Sequence, residues 1–435
     1  MKLRRILAAT VATALAAINL ISITAAADTS SLDDELTDGT FVYELVDGGY
    51  KITDYKDNVI FDSIPSIRNG YAVVEIGEQA LAGCDFLTTL TIPSSVKTIG
   101  DYAFATCENL TSITLPDTIT SIPDGAFASC TSLTEITIPD NVTSIGMIAF
   151  EGCTSLETIN LPEGLETIGE GAFEYCYSLS SLDIPSTVTE IGEQALLECP
   201  LQSITADNNS AYTVDGNVLY DKDQTTLYRA AVTGIDTNFY VPDTVSTIAD
   251  GAFLDCEELE VLFLPTSVTK IGQEAFYYCI SLRSIKFSEG LLEIDISAFA
   301  QCTSLTSLSL PTTLRTIGEG AFYGASSLEK VVISDGLSTI DSGAFASCEA
   351  LKSIIVPDSV STIGDYALGY KLDSSSDSGF SVMDDFSMSV KSGSAAAKYA
   401  KSNDITYEVS DKNLGRLAFI VVCVGVLILA AVFAL

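Results

Sequence analysis

The chain has no histidine and no tryptophan in 435 residues, and only 21 lysines and arginines stand against 58 aspartates and glutamates. The absence of His excludes Ser-His-Asp and Cys-His nucleophilic sites and every His-ligated zinc or iron site. It also removes the side chain that ordinarily changes charge near neutral pH. The scarcity of bases leaves a formal charge of −37, which repels nucleic acid and anionic lipid headgroups. Such acidity keeps a long exposed array soluble. Selective binding of cations or cationic partners is the sharper reading of the same excess.

Long apolar runs are confined to the two ends. At the N-terminus Lys2, Arg4 and Arg5 precede the apolar stretch Ile6 to Ile23, and Ala25-Ala26-Ala27 supply small residues before Asp28. Residues 1–27 therefore read as a signal peptide, and an uncleaved anchor is the alternative that the length of the run leaves open. Loss of those three bases takes the formal charge from −37 to −40. At the other end, Leu417 to Leu435 is an unbroken apolar segment of 19 residues, enough to span a hydrocarbon core of about 30 Å. The expected arrangement is an exported protein on the extracellular face of the membrane, held by a single C-terminal helix over 417–435 after a short linker, 410–416. Lys412 and Arg416 lie on the outer side of it, against the positive-inside tendency. The "SND" at 402–404, followed by a polar spacer and this tail, leaves a lipid-exchange signal as the second possibility.

Between the ends the chain is periodic. Ile residues fall at 76, 99, 122, 145, 168 and 191, and again at 248, 271, 294, 317, 340 and 363, each 23 apart within its run. The runs are separated by 57 residues, one repeat plus 34. One unit reads "LTEITIPDNVTSIGMIAFEGC", Leu133 to Cys153. Ile136 and Ile138 alternate with Glu135 and Thr137 as in a half-buried strand, and Pro139 ends it because Pro cannot donate to a ladder. Ala149, Cys153 and Leu156 follow Ile145 at helical spacing, which predicts a short helical turn. Eight of the twelve units carry an acid two residues after the Ile (Glu78, Asp101, Asp124, Glu170, Glu193, Asp250, Glu319 and Asp365). Those carboxylates are expected in the first turn of that helical segment, against its exposed amides.

The repeated wording L-x-x-I-x-I-P-x-x-V-x-x-I-G-x-x-A-F-x-x-C resembles the leucine-rich repeats of BspA-like bacterial surface proteins, over Ile64 to Tyr370. Ala325 and Lys371 depart from it at the Cys slot, and Asp295, Asp341 and Ala249 depart at the Gly slot. Residues 206–231, with Asp215-Gly216 as a turn, resemble the family's β-hairpin insertion. Residues 392–409 are similar to its terminal helix and strand, and 41–75 to its N-terminal cap. The resemblance implies an α/β repeat solenoid of about twelve 23-residue units, with strands on a concave face and short helical turns on the convex one. It implies an adhesive surface role and no enzymatic activity.

The expected organisation runs as a signal peptide, 1–27; a β-rich cap, 28–63; a first repeat block, 64–205; the insertion, 206–234; a second block, 235–370; an irregular segment and C-terminal cap, 371–409; then the linker and the membrane helix.

The candidate sites can be weighed on that frame. The repeat slot holds ten cysteines: 84, 107, 130, 153, 176, 199, 256, 279, 302 and 348. An even number in an exported chain suggests disulfides. Stacked equivalents point the same way, however, and Cys348 is flanked by Ala325 and Lys371 in its column, so buried free thiols are the favoured reading. Metal binding lacks any CxxC or His partner, and a nucleophilic Cys lacks a base. No carboxylate pair is singled out by the repeat, and no cofactor is implied.

The outward residues of the strands, ten and eight positions before each Ile, carry more information. In the first block they are small and hydroxylated, as at Thr89, Thr91, Ser112, Thr114, Thr137 and Thr158. From the insertion onward they become Tyr240, Val261, Phe263 and Lys286, with Val332 and Ile355 further on. Exposed aromatics beside a cation suit a peptide or glycan contact, whereas cross-strand packing that merely stabilises the sheet is the competing account. These six residues are the expected ligand-binding set. The expected function is cell-surface binding or adhesion toward a protein or glycan partner, with a passive envelope spacer as the alternative and an enzyme a distant third.

Overall fold

The computed structural model describes residues 37–56, 59–376 and 378–410. The signal-peptide segment, most of the linker and the apolar run 417–435 lie outside the described residues. Among the described residues no helix is long and apolar enough to cross a membrane.

The repeat folds as a solenoid in which each unit is one rung. A three-residue strand such as Glu135–Thr137 is followed by a two-residue strand such as Ser144–Ile145, and each pairs in parallel with its equivalent in a neighbouring rung. The alternation seen in sequence is obeyed: in Glu135–Thr137 the central Ile136 is buried and its neighbours are exposed. Buried Ile, Leu, Ala, Phe and Cys from successive rungs make up the interior.

The segment after each repeat Ile is not a helix. The only α-helix among the described residues is Ala395–Ser402, which is N-capped by Ser394 and packs at the C-terminal end of the stack. In the repeats, turns closed by bonds such as Ala105 N–H to Tyr102 O (3.0 Å) follow one another. Twice per turn segment the backbone enters the left-handed region, for instance at Tyr102 (φ 55°) and Thr106 (φ 59°), or at Ser297 and Gln301 (φ 52° and 62°). A right-handed helix cannot pass through such residues. What the conformation supplies is a third ladder. Tyr102, Phe104 and Thr106 donate to Asp124 O, Ala126 O and Ala128 O of the next rung at 2.7–2.9 Å. The helical expectation, and with it the α/β class, is overturned: the repeat is a β-solenoid, because the apolar spacing of four fits both a helix and this chain of turns, while the hydrogen bonds run between rungs.

The acidic slot takes a different role as well. There is no helix N-terminus for it to cap. Instead Asp124 Oδ1 accepts from Met147 N (2.7 Å) and Asp250 Oδ1 from Gln273 N (2.8 Å), each one rung on. The Gly slot reflects close approach, since a Cβ at Gly192 would lie 2.4 Å from Glu170 N. At Asp295, Asp341 and Ala249 the amide bond made by that slot is kept, to Ile271, Ile317 and Leu227 carbonyls at 2.9–3.0 Å.

That last bond reveals a rung beyond the twelve read from the isoleucines. Leu227 pairs with Ile248 and occupies the repeat-Ile position, so the 57-residue interval resolves into steps of 36 and 21. The extra length of the first step is the antiparallel hairpin Tyr212–Asp215 and Val218–Asp221, placed between the rung's strands Ser203–Thr205 and Thr226–Ala230. Two cores meet there: Leu219 belongs to the first, and Val218 and Tyr220 to the second. At the C-terminal end, Ser387–Val390 and Thr406–Val409 extend the sheet of three-residue strands beyond Ser353–Ile355.

Candidate functional site

The ten repeat cysteines are buried and free. Eight of them donate Sγ–H to the carbonyl five residues after the Ile of the preceding rung, as in Cys130 to Phe104 O (3.1 Å) and Cys302 to Phe276 O (3.2 Å). Burial pushes the Cys153 and Cys348 thiols up to about 12, so the nucleophilic thiolate is suppressed. Among the described residues no group of three or more Cys, Asp or Glu is arranged to hold a metal ion.

The strand-lined face places five of the six sequence-derived residues in one column. Tyr240 is in register with Phe263, and Phe263 with Lys286. The rings of Tyr240 and Phe263 stack with centroids 4.1 Å apart and planes 1° from parallel, and Lys286 Nζ lies 5.7 Å from the Phe263 centroid. Tyr240 is 67% exposed, a high value for an aromatic side chain. Val332 and Ile355 are in register with each other further along the same column, with Ser309 between Lys286 and Val332. Val261 lies in the parallel column, two residues before Phe263 on the same strand. The structure thus brings together an aromatic–cationic group and, separately, an aliphatic pair. Stacking also covers one face of each ring, a detail invisible in the sequence. Tyr240 lies on the edge strand of its sheet, and its exposure leaves the face turned away from Phe263 open to solvent.

Sequence reasoning missed the seam around the hairpin. Cavities of about 490, 320 and 580 Å³ all border it. Its signal was the interval that failed to be a multiple of 23. Two of the three ladders are closed across the seam by the chain's own groups. In the Ile column, Ile191 N donates to Tyr212 Oη (2.7 Å) where the first sheet ends. In the turn column the buried Arg229 guanidinium donates to the Cys199 and Leu254 carbonyls at 2.6 and 3.3 Å and to the Gly251 carbonyl. The column of three-residue strands has no such closure: Ser203–Thr205 pairs only backward and Asn238–Tyr240 only forward, a break in pairing that this column also shows after Ser112–Thr114, Thr158–Asn160 and Ser284–Lys286.

On the turn side of the seam, carboxylates crowd together. Burial, with help from Glu151, raises Glu174 to about 7, and burial, with help from Glu198 and Glu174, raises Glu274 to about 7.

A family model described as the BspA type leucine rich repeat region matches in six copies over residues 97–225 and 237–373. Among solved structures, a leucine rich cell surface protein from Faecalibacterium prausnitzii A2-165 is 33% identical with a TM-score of 0.64, covering 76% of this chain and 94% of that one. The pneumococcal vaccine antigen PcpA shares the fold at 21% identity and a TM-score of 0.66, over 86% of this chain and 98% of its own. A leucine-rich repeat protein from Eubacterium ventriosum ATCC 27560 does so at 22% and 0.55, over 80% and 98%. No curated protein matches.

Proposed function

The chain belongs to the BspA-type leucine-rich repeat family, and from that premise we propose that it is a cell-surface binding protein whose strand-lined face engages a protein or glycan ligand without catalysis. The Tyr240–Phe263–Lys286 column carries the reading. Apolar rings exposed on a flat sheet gain nothing from solvent, and a stacked pair backed by a cation is a pre-ordered contact with little side-chain entropy left to lose. The first block offers no comparable group, since its outward positions are mostly hydroxylated, as at the exposed Thr89, Thr91, Ser112 and Thr114. The similarity to a protein described as a cell surface protein supports the location. Export by residues 1–27 and tethering by 417–435 complete the proposal.

The test is saturable binding of the purified chain to immobilised extracellular proteins and glycans, repeated with Tyr240→Ser and Phe263→Ser combined. The expected result is at least a tenfold loss of affinity. Undiminished binding would move the site off this column, and a chain that binds nothing saturably acts as an envelope spacer. Deletion from Leu417 is expected to release the protein into the medium, and retention on the cell would refute the tether.

A further inference from the structure

The seam leaves one ladder open, and the open ladder has a definite polarity. Along every rung, alternate residues turn their backbone groups to the rung before and the rung after. Thr205 O accepts from Ile184 of the rung before (2.8 Å), so Ile204 and Ala206 face the rung after. Thr237 O accepts from Glu260 and Val261 of the rung after (2.8 and 3.0 Å), so Asn238 and Tyr240 face back toward Ser203–Thr205. Among the described residues none bonds the amides of Ile204, Ala206, Asn238 or Tyr240 across the seam, and the two strands end separate sheets. Beside this break lies the cavity of about 580 Å³, lined by Ile204 to Asn208, Val214, Asn217, Lys222 and Gly234 among others.

We propose that this break is a docking slot for an extended, basic peptide segment of a protein partner, which adds a strand to the open edge and lays a Lys or Arg side chain on the uncovered face of Tyr240. The proposal rests on reading the strand-lined face as the binding face. Three observations select this occupant. Unpaired strand edges are satisfied by main-chain groups at ladder spacing, which a peptide carries and a glycan does not. Tyr240 offers a single ring face at the edge, and the quadrupole of that face attracts a cation. The surroundings are acidic: Asp183 is in register with Thr205 in the Tyr240 column, Asp207 lines the cavity, Asp236 is exposed two residues before Asn238, and the whole chain carries −37. The other two ladders are closed internally by Tyr212 and Arg229, so the opening is confined to the face that meets a ligand.

The probe is a fluorescein-labelled octapeptide of alternating Arg and Val, titrated into the full chain by anisotropy, with hydrogen exchange followed over residues 202–206 and 238–240. Expected are saturable binding, slowed exchange confined to those two segments, and at least tenfold weaker binding both for an Arg–Pro octapeptide, whose prolines remove every donor along one of its two edges, and for a Glu–Val octapeptide. Tyr240→Ser is expected to weaken the Arg–Val peptide about fivefold. Equal binding of the Arg–Pro peptide, protection elsewhere, or no saturable binding at millimolar peptide would overturn the slot. The outcomes separate from those of the face itself. Loss of macromolecular ligand binding in the Tyr240/Phe263 variant together with an inert octapeptide refutes only the slot, whereas a peptide held at the slot in a chain whose ligand binding ignores both rings refutes only the wider face.

Discussion

At the scale of single residues, the repeat cysteine is a buried hydrogen-bond donor of small volume. Ala would fill the slot less fully and leave the carbonyl above it without the thiol, and a β-branched residue would overpack it. Ala325 is a natural experiment, because its rung lacks the Sγ–H that Cys302 gives Phe276 O and Cys348 gives Phe322 O. Ala325→Cys is therefore expected to leave the urea midpoint unchanged or raise stability by up to about 1 kcal/mol, whereas Cys130→Ala is expected to cost about 1–2 kcal/mol. A fall in stability for Ala325→Cys would show that the carbonyl contact contributes nothing. The column of cysteines and its burial were legible in the 23-residue period. The carbonyl partner was not, because it depends on an offset between rungs that period alone does not fix.

At the scale of elements, the strands were readable because alternation with a terminating Pro has one interpretation. The turn segment was not, because apolar residues at spacings of four and three are shared by a helix and by stacked turns. The discriminating quantity is the sign of φ, and its trace in the sequence is Gly recurring three or seven residues after the Ile, as at Gly125, Gly152 and Gly171. The aromatic column was legible as composition, yet the ring stacking that leaves only one Tyr240 face open came from the rung spacing. The seam was hidden because 57 residues can be divided in many ways. Its key residue, Arg229, sits in "LYRAA" without any motif. The guanidinium holds three carbonyls from two neighbouring rungs, so Arg229→Met removes their donors while keeping much of the volume. The expected cost is about 3 kcal/mol, read as an earlier unfolding transition in chemical denaturation. A variant within about 0.5 kcal/mol of the parent would show that water replaces the guanidinium without penalty.

At the scale of the whole molecule, two stacks joined at one seam must hold together while carrying far more acid than base. Glu174 belongs to the first stack and Glu274 to the second, and each is raised to about 7 by burial and by the neighbouring carboxylates. Glu151, Glu170 and Glu198 act on Glu174, which Tyr175 partly relieves by a hydrogen bond; Glu198, Glu174 and Asp250 act on Glu274, which Gln273 relieves. Both groups titrate near 4.5 when unperturbed, so between pH 4.5 and 7 the folded chain binds more protons than the unfolded one. Their contribution to stability is therefore fully present below pH 4.5 and is lost as the pH rises through 7. Each is expected to account for on the order of 1–2 kcal/mol once residual contact with solvent is allowed for. Thermal unfolding is expected at higher temperature at pH 5.5 than at pH 8, with most of that difference abolished in the Glu174→Gln, Glu274→Gln double variant. General repulsion among the exposed acids also eases on acidification, but salt screens it. The seam contribution is the part that survives in 0.5 M NaCl and vanishes in the double variant. A pH response identical in parent and double variant would assign the effect to the surface acids and leave the seam carboxylates without a role in joining the two stacks.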